Sequence, residues 1–182
     1  MIWAGVVILV VLSVAAGCVR LIPAGSIGLV ERLGRLRPGT WQPGLVITRP
    51  FFERVLVFPL SAFPAGASIE GELSNGESAR VAVQGEFVIT SAKEFHLNVP
   101  PVPVVRKHDA VARARRFLKP LMEHEGRALL RESGLPDGDD GFAARLAERL
   151  DWHLQRVGMR RTSMAAARDT GAAPRLHGSN PA

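Results

Sequence analysis

An uncharged, strongly apolar N-terminus constrains this 182-residue chain more than any other feature. Residues 2–19 contain no charged side chain, and ten of these 18 residues are Ile, Leu or Val. As a helix the stretch is about 27 Å long at ~1.5 Å per residue, close to the ~30 Å hydrocarbon core of a bilayer. We therefore predict a transmembrane signal anchor over residues 1–22, ended by Pro23, with anchoring side chains that include Ile2, Val6, Leu9, Leu12 and Val19.

Two other interpretations of the N-terminus stay open. A cleaved signal peptide normally has a basic region before its apolar core, and the first three residues offer no basic side chain. The sequence VAAGC, residues 14–18, can also be a lipobox with Cys18 acylated, although Ala15 stands where a larger aliphatic residue is usual.

Arginines that follow the apolar stretch predict its orientation. Arg20, Arg32, Arg35 and Arg37 all lie on its C-terminal side. Because short basic segments favour the cytoplasmic side of a membrane, the expectation is a single-pass membrane protein whose main domain is cytoplasmic.

Short apolar runs separated by glycine and proline fill residues 23–64 and predict strands joined by turns. The clearest strand covers residues 79–90, where apolar side chains alternate with polar ones, as in a half-buried antiparallel strand. Just upstream, Asn75-Gly76 predicts a tight hairpin turn, because both residue types accept positive φ at low cost.

Helical periodicity replaces this pattern in the second half of the chain. One apolar helical face runs through residues 107–132, where Pro120 should end or kink the helix. A second helix, capped by Asp139 or Asp140, should stop at Gly158. Strands grouped before helices predict an α+β fold, in which a small, mostly antiparallel sheet with two or three helices follows the transmembrane helix.

Turn and strand positions at the front of the chain resemble those of a known family. The stretch IPAGSIGLVERLGRLRPGTWQPGLVITRPFFERVLVFPL, residues 22–60, is similar to the start of the SPFH or band-7 domain of stomatins, prohibitins and flotillins. The helical segments 111–132 and 146–164 resemble the family more loosely. The predicted domains are therefore the anchor 1–22, an SPFH-like domain over 23–169 and a disordered tail over 170–182, without the long C-terminal coiled coil usual in the family.

The resemblance implies a membrane scaffold rather than an enzyme. Similar proteins form homo-oligomers, gather membrane lipids and regulate membrane proteases or channels. The stripe proposed for oligomer contact, or else for the domain core, is Leu146, Leu150, Leu154 and Val157. The alternative function is a membrane-tethered, one-to-one accessory subunit of a membrane protease, transporter or secretion complex. Strands that start close to a bilayer would also let Phe51 and Phe52 touch its interface, unless they are core residues.

No residue pattern in the chain predicts catalysis, a metal site or a cofactor. There is no nucleophile elbow, no glycine-rich loop between a strand and a helix, and no histidine pair at ligand spacing.

A basic cluster in the second half predicts binding to anionic lipid or to a partner, or simply a solvated helix face. Nucleic-acid binding is not expected, because no aromatic interleaving or groove-reading motif accompanies the charge. The cluster consists of Arg106, Lys107, Arg113, Arg115, Arg116 and Lys119.

Overall fold

The structure, a computed structural model, describes residues 3, 17–73, 76–101, 109–133 and 139–168. This part of the chain is α+β, with eight strands and three helices. It divides into two compact units, Met1–Ser61 (unit 1) and Ala62–Ala182 (unit 2).

Unit 1 consists of short antiparallel strands. The first and fourth strands form a two-stranded ribbon, while the third, second and fifth form a three-stranded sheet in that order. Ile22, Val30 and Val46 are buried together, with Val55 packed against them, so the ribbon and the sheet share a small core. The strands are β1 (Val19–Ile22), β2 (Ser26–Arg32), β3 (Arg35–Leu36), β4 (Gly44–Ile47) and β5 (Glu53–Pro59).

The predicted N-terminal transmembrane helix is contradicted. Val19, the last residue of the uncharged stretch 2–19, begins β1, and it pairs with Ile47 of β4 instead of continuing a helix. None of the helices in the described residues is both long and apolar enough to cross a membrane. The single-pass membrane location was predicted from that helix and is therefore contradicted as well. The other anchor positions, Ile2, Val6, Leu9 and Leu12, lie outside the described residues.

Unit 2 is a three-stranded antiparallel sheet with helices packed on one face. Its strands are β6 (Phe63–Glu72), β7 (Ser78–Ile89) and β8 (Met159–Arg168), in that spatial order. Its helices are α1 (Ala92–Asn98), α2 (Ala110–Ser133) and α3 (Asp139–Arg156). Side chains of β6 are alternately buried against the helices and exposed, as a one-sided sheet requires.

Helix α2 passes through Pro120 without ending, contrary to one of the two outcomes predicted. Pro120 is exposed, whereas Leu118 and Met122 beside it are buried. The carbonyl group that loses its helical donor at a proline can therefore face water, and packing of the buried side holds both halves in one helix.

Gly158 joins α3 to β8 and anchors the end of β7. Its φ is +67°, and its carbonyl oxygen accepts hydrogen bonds from the amides of Thr90 and Ser91. The predicted helix stop at this glycine agrees with the structure, and β8 is the closing strand whose sequence alternates poorly.

Candidate functional site

Three large apolar side chains project from two neighbouring turns at one end of unit 1. Leu33 is 73% exposed, Phe51 93% and Phe52 55%. Leu33 lies in the β2–β3 turn and the two phenylalanines lie in the β4–β5 turn. The amide of Leu33 donates a 3.1 Å hydrogen bond to the carbonyl oxygen of Phe52, so the two turns form one surface, which we call the apolar tip.

The backbone of the apolar tip is strained at the residues that it exposes. Leu33 has φ +49° and Phe51 has φ +70°, and within the described ranges these are the non-glycine residues with positive φ. Glycine or asparagine normally occupies such turn positions, since a β-carbon there costs about 1–3 kcal/mol. Strained residues that are also large, apolar and exposed point to a binding surface rather than to a packing requirement.

Glu53 fastens the β4–β5 turn to the sheet. Its side chain is only 3% exposed. One carboxylate oxygen accepts a 3.0 Å bond from the Arg49 amide, and the other accepts a 3.2 Å bond from Arg37 Nη1. The Arg49 amide, followed by the positive charges of Arg37 and its neighbours, lowers the pKa of Glu53 below its ordinary value, although burial of the carboxylate opposes this shift.

The surroundings of the apolar tip are basic. Residues 17–61 carry six arginines and two glutamates, a net charge of +4. Arg32 ends β2 beside Leu33, Arg35 begins β3 after the same turn, and Arg49 precedes Phe51 by two residues; all three side chains are exposed. An apolar projection with a rim of cations combines the two attractions that hold a protein at an anionic lipid surface.

The β1–β4 ribbon adds a second apolar surface to unit 1. Val19 lies opposite Ile47 and Leu21 lies opposite Leu45, so all four side chains share the face turned away from the core. All four are exposed. Val19, predicted as a membrane-anchor residue, is thus an exposed side chain of a strand.

A basic groove lies at the edge of the sheet in unit 2. Its volume is about 400 Å³, and its lining is Pro64, Ala65, Gly66, Gln84, Arg115 and Lys119. Arg115 reaches from α2 to the edge strand, where its Nε donates a 2.9 Å hydrogen bond to the carbonyl oxygen of Pro64. The groove therefore offers two cations and a side-chain amide to an anionic group.

The structure separates the predicted basic cluster into members with different roles. Arg115 and Lys119 meet in the groove, while Arg116 is exposed on α2. Arg113 instead donates to the carbonyl oxygens of Pro100 and His96, and burial lowers its pKa. The remaining members, Arg106 and Lys107, lie outside the described residues.

Arg113 also lies over an aromatic ring. Its guanidinium carbon is 5.3 Å from the ring centre of Phe95, which is fully buried in α1. Its hydrogen bonds and this cation–π contact tie α2 to α1, so Arg113 holds the fold of unit 2 together rather than presenting charge to a ligand.

The apolar stripe considered for oligomer contact lies in the core of unit 2. Its members lie on α3 or directly after it and pack toward the sheet and α2. They are at most 8% exposed: Leu146, Leu150, Leu154 and Val157. These side chains stabilise the unit and are not presented to a second copy.

No group of three His, Cys, Asp or Glu side chains that could hold a metal ion occurs among the described residues. His153 lies 3.4 Å from Glu125, but this pair links α3 to α2 and lines neither the tip nor the groove.

No protein-family model matches this sequence, and no curated protein matches it. The resemblance to SPFH domains therefore continues only as a proposal.

Sequence reasoning found part of these surfaces. Phe51 and Phe52 are recognisable in the sequence as an aromatic pair before a strand, whereas Leu33 is not, because a leucine between two strands is easily assigned to either strand. The detectable signal was its position: Leu33-Gly34 forms a two-residue hairpin turn, where an apolar first residue is unusual. The groove was beyond sequence reasoning, since Gly66, Gln84 and Lys119 meet only through tertiary packing.

Proposed function

We propose that the chain is a non-catalytic scaffold or accessory module of the SPFH type, which self-associates and works at an anionic membrane surface. The observation that carries the proposal is the apolar tip of unit 1, in which Leu33, Phe51 and Phe52 are exposed by strained turns. The resemblance of residues 22–60 to SPFH domains supports it independently.

The geometry of the tip favours lipid over a protein partner. Two turns held together at one end of a sheet make a projection, and a projection enters the fluid headgroup region without needing a complementary pocket. Each exposed arginine near an anionic surface adds about 1 kcal/mol, so the loss of one should weaken binding about fivefold. This contact requires no membrane-spanning helix.

The test places an environment-sensitive probe on the tip of the full chain. Phe51→Cys in a Cys18→Ser background is labelled with a nitrobenzoxadiazole fluorophore and mixed with vesicles of phosphatidylcholine and phosphatidylserine. We expect a blue shift and a rise in intensity, both reduced by salt and absent with pure phosphatidylcholine. The matched control is Ala144→Cys, exposed on α3 of unit 2, whose probe should not respond.

Binding must also depend on the tip. The variant F51S/F52S should lose most of its affinity for the mixed vesicles, and R32Q/R35Q should lose about tenfold or more, since two charges are removed. If the chain binds vesicles while the fluorescence of the probe at position 51 stays unchanged, or if F51S/F52S binds as tightly as the wild type, another part of the chain makes the contact. Either result would refute this role for the tip.

A further inference from the structure

We propose that two copies of the chain associate through strand β6, paired antiparallel to itself across a two-fold axis at Ser68. This inference names the contact for the self-association in the proposed function. It joins two three-stranded sheets into one of six strands, with the basic groove of each copy filled by glutamates of the other.

Strand β6 is an open edge. It pairs with β7 on one side, and no other described strand pairs with it. The bond from Arg115 to the Pro64 carbonyl oxygen indicates that this oxygen points to the outer edge and not toward β7. Because this direction alternates along a strand, the amide and carbonyl groups of Gly66, Ser68 and Glu70 point outward as well.

Charge along this edge is self-complementary. The groove at the Pro64 end contains Arg115 and Lys119, and the other end of the strand carries Glu70 and Glu72. An isologous contact places each end of the strand against the opposite end of its partner. The cations of one copy therefore meet the carboxylates of the other, twice in each dimer.

The register follows from the strand itself. Pairing centred on Ser68 sets Gly66 opposite Glu70 of the second copy and Pro64 opposite Glu72 of the second copy. Gly66 has no side chain, so a carboxylate has room to enter the groove beside it, and Pro64 supplies an acceptor but no donor, so the ladder ends there.

Two of the charges concerned have no ionic partner among the residues that the structure describes. Glu70 is paired with Arg80 of β7, but neither Glu72 nor Lys119 forms an ion pair with any described residue. The Ser68 register brings each Lys119 to Glu72 of the second copy, so dimerisation pairs these two charges.

The other edge of the sheet does not offer the same contact. Strand β8 carries a bulge opposite Glu86 and Phe87, and bulges interrupt edge pairing. Of the two edges, β6 is the one built for a second copy.

The test is a position-specific crosslink in the full chain with Cys18→Ser. In the proposed register the two Ser68 α-carbons are about 5.5 Å apart, within reach of a disulfide. Mild oxidation of S68C should give a covalent dimer. The dimer yield should fall as the salt concentration rises, and the matched control T162C on β8 should give about tenfold less dimer. Equal yields at the two positions would overturn the proposal.

Charge reversal then tests the complementarity. K119E and E72K, each added to S68C, should lower the dimer yield about tenfold, because each sets like charges face to face. An equal mixture of the two variants should recover the yield, since both ends of the mixed dimer are again complementary, and a misfolded variant could not be rescued in this way. Dimer yields that stay the same after charge reversal overturn the proposal. Vesicle binding through the apolar tip is measured separately, so failure here and failure of the lipid contact are distinguishable.

Discussion

The amide of Leu33 and the carbonyl oxygen of Phe52 form a 3.1 Å hydrogen bond that joins the two exposed turns of unit 1. The same end of the sheet is closed by the pairing of Arg32 with Glu53, whose carboxylate in turn holds the backbone of Arg49. The apolar side chains therefore project from a fixed platform and not from independent loops. Turns so well supported can hold residues in an unfavourable backbone conformation.

Leu33→Asn should separate stability from binding. Asparagine followed by Gly34 suits a hairpin turn with positive φ at both positions, so the free energy of unfolding of unit 1 should rise by about 1 kcal/mol. Affinity for vesicles of phosphatidylcholine and phosphatidylserine should fall, because an exposed apolar side chain is lost. Urea unfolding followed by Trp41 fluorescence in a W3F/W152F background measures the first effect. Unchanged vesicle binding would show that Leu33 is not part of the contact surface.

Glu53 should make the stability of unit 1 sensitive to acid. Its pKa is lowered in the folded state, chiefly by the bond from the Arg49 amide, so its contribution is present above the ordinary carboxyl value of 4.5 and is lost as the pH falls through the folded pKa. The wild-type urea midpoint should therefore fall on acidification below about 4.5. E53Q should be less stable at neutral pH and lack this dependence. R37Q, which keeps the Arg49 bond, should retain part of it, and identical profiles for E53Q and wild type would contradict the assignment.

The strands and turns could be predicted because local chemistry determines them. Gly25, Gly34 and Gly76 have positive φ at turns that the sequence indicates, and β7 runs over Ser78–Ile89 as its alternation predicts. The helix through Pro120 was harder, since the outcome depends on which side of the helix faces water. Packing of the helix on the sheet determines which side faces water, and a local sequence pattern carries no information about this packing.

The sites were less predictable than the elements. The six basic residues of the cluster over residues 106–119 are alike in the sequence, yet Arg113 is bound to α1 while Arg115 and Lys119 line a groove with β6. Hydropathy at the N-terminus pointed to a helix through Val19, but β4 supplies a strand partner that hydropathy cannot foresee. Long-range pairing decided both cases.

The apolar stripe of α3 should behave as core. Leu150→Ala removes a fully buried side chain and should lower the free energy of unfolding of unit 2 by about 2–5 kcal/mol. Amide hydrogen exchange in β7 reports this change for unit 2 alone. Trp152→Ala is the control on the same helix, because Trp152 is 58% exposed and should cost far less. If L150A keeps the wild-type free energy of unfolding but no longer self-associates, the stripe is an interface instead.

Gly158→Ala should destabilise unit 2 more than the addition of a single methyl group suggests. A β-carbon at Gly158 would lie 2.5 Å from the Ser91 carbonyl oxygen and 2.9 Å from Glu94 Cβ, and φ there is +67°. Backbone atoms of the β7–α1 junction cannot move away cheaply, so we expect a loss of about 3 kcal/mol in unit 2. Gly76→Ala is the matched control: φ is +86° but nothing lies within 4 Å, so only the backbone strain of about 1 kcal/mol remains. Amide exchange in β7 compares the two variants, and equal losses would mean that strain alone, without the contact to Ser91, accounts for the glycine.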